Sequence, residues 1–301
     1  LLITIGVYLL RETPPTQIPP PSSASSIPSK PADLAPFGRP PDWSKLDRFQ
    51  NTISKETFLN RLETIYTRDP SWKEWITIDE STNQALIGNY RLVFSPQDKP
   101  APGSLFNWKT RADLSDDREL PLEDLIIAID PGHIGGDFAR IEEREHNHDD
   151  LTIREGTMTL KTALILKPLL EKLGASAILI RSKLEPVTKN RARDFADPKL
   201  FYRTSEIRAR ANIVNQTIKP DLVICLHFNG TASKDLTPNQ HFHIILNGTY
   251  TKGELAHEDE RFEMLQRLLS GTITEEIALA REVATSFNQS IKLPAYRYPD
   301  S

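Results

Sequence analysis

Three short apolar runs punctuate the chain from Leu125 onward: Leu125–Ile129, Ala177–Ile180 and Leu222–Leu226. Each is continuous rather than alternating, the pattern of a strand buried on both faces. Between the first two, Leu160, Ala163, Leu164, Leu166, Leu169, Leu170 and Leu173 recur at helical spacing, with Glu155 placed to open the helix and Gly174 to end it. Pro168 falls inside that helix and predicts a kink. A second helix is predicted near Thr204 to Thr217, on Ile207, Ala211 and Val214. Phe242 to Leu246 reads as a further strand, and Ile273, Ile277, Ala280, Ala284, Phe287 and Ile291 as a final amphipathic helix. Strand, helix, strand in this order implies parallel strands joined by right-handed crossovers. The expected fold class is therefore α/β, a twisted, mostly parallel sheet with helices on both faces.

The first half reads differently. Leu1 to Leu10 is apolar apart from Thr4 and Gly6, and 1–12 is expected to be the end of a membrane anchor, with a signal segment as the competing reading. Ten of the 23 prolines fall between Pro14 and Pro41, so 13–42 is expected to be a semi-extended linker. From 43 to 115 a small α+β module is predicted. Its helical spacing runs through Leu46, Phe49, Ile53, Phe58, Leu59, Leu62 and Ile65, and its short strands lie near Trp75–Asp79, Ala85–Gly88 and Tyr90–Phe94. Its role is not legible, and its tryptophans read as packing aromatics rather than a binding groove.

A formal net charge of −4 gives no electrostatic footprint for nucleic acid. The single cysteine, Cys225, excludes an internal disulfide and any cysteine-based metal site.

The candidate chemistry gathers at the ends of the apolar runs. His133 follows the first, after Asp130-Pro131-Gly132, and His227 follows the third. Parallel strands put both at one rim, where open α/β sheets hold their ligands. Glu155 joins them, because the helix it opens starts from that rim. Two imidazoles and a carboxylate suit a zinc site that keeps a fourth position open. Each residue alone has a plainer reading: a histidine capping a turn, or a glutamate favoured by a helix N-terminus. Asp130 could orient the His133 imidazole or cap the turn backbone. The acidic segment after His133, with Glu142, Glu143, Glu145, His146, His148, Asp149 and Asp150, reads as a flexible surface loop. His241 and His243 suggest a supporting or surface role rather than ligation.

Ile129-Asp-Pro-Gly-His-Ile-Gly-Gly-Asp137, Glu155 with Leu160, the strand ending at Arg181, Arg208-Ala-Arg-Ala-Asn212 and Asp221-Leu-Val-Ile-Cys-Leu-His-Phe-Asn229 together resemble the successive blocks of zinc-dependent N-acetylmuramoyl-L-alanine amidases of the amidase_3 type. The likeness runs from about Leu125 to Ile291, within a catalytic domain expected over 122–301. It implies one zinc ion held by His133, Glu155 and His227, with Asn229 near the substrate. It also implies peptidoglycan as substrate, cut between muramic acid and L-alanine, and a place in the cell envelope, outside the cytoplasm. The catalytic residue is left unknown: the family's glutamate lies on a late strand, expected beyond Ser301. The segment between His133 and Glu155 is longer and more acidic than is usual in the family, and Cys225 stands where a serine is common. Two other readings compete, a non-catalytic peptidoglycan-binding or regulatory protein on the same fold, and a zinc peptidase acting on wall peptides.

Overall fold

The computed structural model describes residues 4–7, 41–99, 108–109, 113–148, 150–191, 193, 205–228, 242–246 and 248–291. The described chain begins with a four-residue strand, β1 (Thr4–Val7).

The N-terminal module follows the pattern of its apolar positions. A 3-10 turn over Trp43–Phe49 buries Leu46 and Phe49, and Asp42 caps its first amides. The helix α1 (Lys55–Arg61) starts at Ser54, whose side chain accepts the amide of Thr57, and continues as a π-helical turn over Leu62–Tyr66. Then come β2 (Ile76–Asp79), β3 (Gln84–Ile87) and β4 (Tyr90–Val93), an antiparallel meander in which Ile76, Ala85, Ile87, Tyr90 and Leu92 are buried. Asn83 and Gly88 take positive φ at the two connections. Residues Gly248–Glu276 belong to this compact unit rather than to the one that holds the main sheet. The division thus differs from the boundary read in the sequence, where this stretch lies in the domain 122–301. It contributes a helix over Glu258–Ser270 whose Met264, Leu265, Leu268 and Leu269 are buried. Arg61 reaches the carbonyl of Leu268 at 2.7 Å.

The other unit is the predicted α/β fold. Its strands are β5 (Ile126–Pro131), the hairpin pair β6 (Glu145–His148) and β7 (Leu151–Arg154), β8 (Ser176–Leu179), β9 (Leu222–His227) and β10 (His243–Leu246). The main sheet runs β10-β1-β9-β5-β8, with β5 parallel to both β8 and β9. The crossover from β5 to β8 is α2 (Glu155–Lys172), which runs through Pro168 and ends before Gly174, at φ +102°.

Successive residues of the central strands serve opposite faces, as the continuous apolar runs require. Ala128, Val223 and Cys225 pack with Ile180 and Val214 on one side. Ile129 and Leu226 pack with Ala163 and Ala177 on the other, where Leu166 and Leu170 of α2 add to the cluster. Val214 comes from the π-helical turn Ile213–Ile218 that continues the helix Ile207–Asn212, so the two faces are covered by different helices.

Two expectations change. Thr4–Val7, inside the stretch expected to finish a membrane anchor, forms a strand paired antiparallel to β9 and parallel to β10. Its backbone groups are satisfied in the sheet and not within a helix. No helix among the described residues is long and apolar enough to cross a membrane. The segment after His133, expected as a flexible loop, is a 3-10 turn over Gly136–Glu142 followed by the β6–β7 hairpin.

Candidate metal centre at the strand tips

The rim of β5 and β9 is built by backbone hydrogen bonds that run one residue past the strand. The amide of Gly132 donates to the carbonyl of Leu226 at 2.9 Å, bringing the turn after β5 against the end of β9. Glycine is required at that approach, since a Cβ would fall 2.5 Å from Cε1 of His227 and 2.5 Å from the carbonyl oxygen of Leu226. His133 follows with φ +59°, a left-handed conformation that costs an ordinary side chain about 1 kcal/mol. It persists because the neighbours fix it. Thr159 Oγ1 donates to the carbonyl of Gly132 at 2.7 Å, and Arg210 Nη2 donates to the carbonyl of His133 at 2.7 Å.

Arg210 is the buried organiser of this corner. Its Nη1 donates to Asp130 Oδ1 and to the carbonyl of Pro131, both at 2.8 Å, while its Nε donates to Glu206 Oε1 at 2.8 Å. The second oxygen of Glu206 accepts the amides of Val187 and Thr188. Arg181, also buried, donates to the carbonyls of Pro131 and Gly156. One guanidinium thus ties the end of β5 to a helix, and a second ties it to the start of α2. Asp130 takes its place in the site through Arg210, which grips the backbone on both sides of Gly132.

Glu155 is the first residue of α2, where the helix N-terminus favours a negative charge. Its Oε1 accepts the amide of Phe228 at 3.0 Å and faces Nδ1 of His227 at 3.2 Å. Its Oε2 lies 3.4 Å from Nε2 of His133. Burial pushes this carboxyl upward, yet the bond to His227, the nearby His133 imidazole and the Phe228 amide together hold it below the usual carboxylate range. The two imidazoles stand edge to face, ring centroids 5.0 Å apart at 88°.

One ligand atom from each of His133, Glu155 and His227 falls within 4.8 Å of the other two. Zinc bonds of about 2.1 Å in a tetrahedron put neighbouring ligand atoms about 3.4 Å apart. The 3.4 Å between His133 Nε2 and Glu155 Oε2 matches that edge. The donor set of two nitrogens and one carboxylate oxygen also suits zinc, so the residues present fit the ion.

The structure therefore brings together the three residues picked from the strand ends. It does not bring His146, which is exposed on β6, or His243, which lies in β10, into that cluster. Asn229 and His241 lie outside the described residues. Sequence reasoning missed Glu142, which ends the 3-10 turn and points back at His133, its Oε2 3.0 Å from Nδ1. It also missed Arg144, whose Nε is 4.0 Å from Glu155 Oε2. The available signal for Glu142 was the apolar set Phe138, Ala139 and Ile141 within the acidic run, since Ala139 is fully buried and anchors the turn.

Residues 127–298 match the family model Amidase_3, described as N-acetylmuramoyl-L-alanine amidase. The match spans the whole cluster. No curated protein and no solved structure matches the chain.

Proposed function

Because the chain belongs to the Amidase_3 family of N-acetylmuramoyl-L-alanine amidases, we propose that it is a zinc-dependent hydrolase acting on the amide between N-acetylmuramic acid and L-alanine in peptidoglycan, outside the cytoplasm. The observation that carries the proposal is the convergence of His133, Glu155 and His227 within 4.8 Å at the tips of two parallel strands, inside the matched region.

His133, Glu155 and His227 would hold the ion. Zinc bound there supplies Lewis-acid polarisation of the scissile carbonyl and acidifies a water toward a pKa of about 7. The chain's own residues set the conditions for this. Glu155 is kept ionised by its neighbours, so it offers a full negative charge to the site. Arg210 and Arg181 fix the carbonyls of Pro131, His133 and Gly156, which holds the two ligand-bearing segments in register before any substrate arrives. The absent side chain of Gly132 leaves room for the His227 ring.

The test is zinc analysis of the purified chain together with mass spectrometry of peptidoglycan digests. The expected result is about one zinc per chain, lost in His133→Ala and His227→Ala, and any cleavage products should be intact stem peptides that begin at L-alanine. Absence of zinc from the protein would overturn the proposal. Free amino acids among the products would favour a peptidase instead.

A further inference from the structure

Glu142 sits in the segment between the first two candidate ligands, and its carboxylate is 2% exposed. The 3-10 turn Gly136–Glu142 carries the chain away from His133 and brings it back, with Glu143 in a left-handed conformation, φ +56°, closing the turn. Glu142 Oε2 then lies 3.0 Å from Nδ1 of His133 and accepts the amide of Ile134 at 3.2 Å. Its Oε1 is buried without a hydrogen-bond partner among the described residues. A carboxylate buried in this way is costly, and its strongest available partner is the imidazole.

The geometry points to Glu142 as the positioning residue for His133. An ionised carboxylate can only accept, so the bond places the imidazole proton on Nδ1. In the neutral ring the lone pair is then left on Nε2, the nitrogen that faces Glu155 at 3.4 Å. The same contact fixes the ring about χ2, because Glu142 is held from behind by the Ile134 amide. This is the arrangement in which an outer carboxylate orients a metal-binding histidine and raises its basicity. Glu142 acts through His133 and does not itself reach the proposed ion. The inference rests on the zinc reading of the site and adds to it the residue that prepares its first ligand.

Two measurements test it. In the unaltered metal-free chain, labelled with 15N-histidine, the ring of His133 should carry its proton on Nδ1, the signal being assigned by its loss in His133→Asn. An Nδ1 without a proton overturns the inference, and this measurement needs no variant at position 142. The second measurement is zinc affinity by competition with a chromogenic chelator. Glu142→Gln, which keeps an acceptor oxygen, and Glu142→Ala, which does not, should weaken zinc about 10- to 100-fold, alanine more than glutamine. A merely structural Glu142 would lower the metal-free unfolding midpoint and leave the zinc affinity of the folded protein unchanged, and that result also overturns the inference. If the unaltered chain binds no zinc, the underlying reading fails. If it binds zinc and loses it in His133→Ala while both Glu142 variants bind normally, only the role of Glu142 fails.

Discussion

Gly132 lies against the ring of His227, with the space for a Cβ already taken to within 2.5 Å of Cε1 and 2.6 Å of Nε2. The residue before one candidate ligand therefore shapes the seat of another. Gly132→Ala should push the His227 imidazole out of place and weaken zinc about 10- to 100-fold, the range seen when a supporting group of a metal site is lost. Chelator competition measures it, and unchanged affinity would show that the ring can give way.

A tighter approach lies one residue beyond Glu155. A Cβ on Gly156 would fall 2.1 Å from the carbonyl oxygen of Ile134, a backbone atom that cannot swing aside. Gly156→Ala should destabilise the fold by about 3 kcal/mol, the upper end of overpacking costs. Urea unfolding of the variant against the parent gives the difference directly.

Arg210 is almost wholly buried between Asp130 and Glu206. Arg210→Ala leaves two buried carboxylates without their cation and should cost about 3 to 5 kcal/mol. Arg210→Lys keeps the charge but loses the planar fork that joins Asp130, Pro131 and His133, so an intermediate loss is expected. A lysine variant as stable as the parent would argue that charge alone matters there.

The β6–β7 hairpin offers a pH test. Glu145 pairs with Arg154 at 2.7 Å and with Arg140 at 3.2 Å, and the bond to Arg154 leads in holding its carboxyl below the usual 4.5. A carboxyl depressed by folding adds stability above its unfolded value and loses it as pH falls through its folded value. Amide exchange in the hairpin should therefore speed up relative to the rest of the fold as pH drops below about 4.5. In Glu145→Gln that extra dependence should vanish. Exchange that tracks the bulk fold at every pH in both proteins would remove the ion pair from the account.

The three metal-binding candidates were legible because each marks a periodicity change: two apolar strands stop at histidines, and a helical face starts at a glutamate. Local pattern and topology agree at those points, so the rim could be assembled without coordinates. Glu142 was not legible for a physical reason. An acidic run ordinarily stays in water, and only the return path of the 3-10 turn makes one of its members buried. The assignment of Gly248–Glu276 to the other compact unit was hidden in the same way. Its helix shows a clear stripe in Leu265, Leu268 and Leu269 and a stop at Gly271, φ +73°, but a stripe does not name the surface it covers. Thr4–Val7 forms a strand where part of a helix is expected, because a short apolar run carries no period that separates the two.

The segment between His133 and Glu155 is pinned at both of its roots. Gly135 donates to the carbonyl of Leu184 at 2.8 Å and Glu155 to the carbonyl of Arg144 at 3.2 Å, while Arg154 clasps Glu145 just before α2. Both roots are therefore held by backbone bonds, which no side-chain substitution in the hairpin removes.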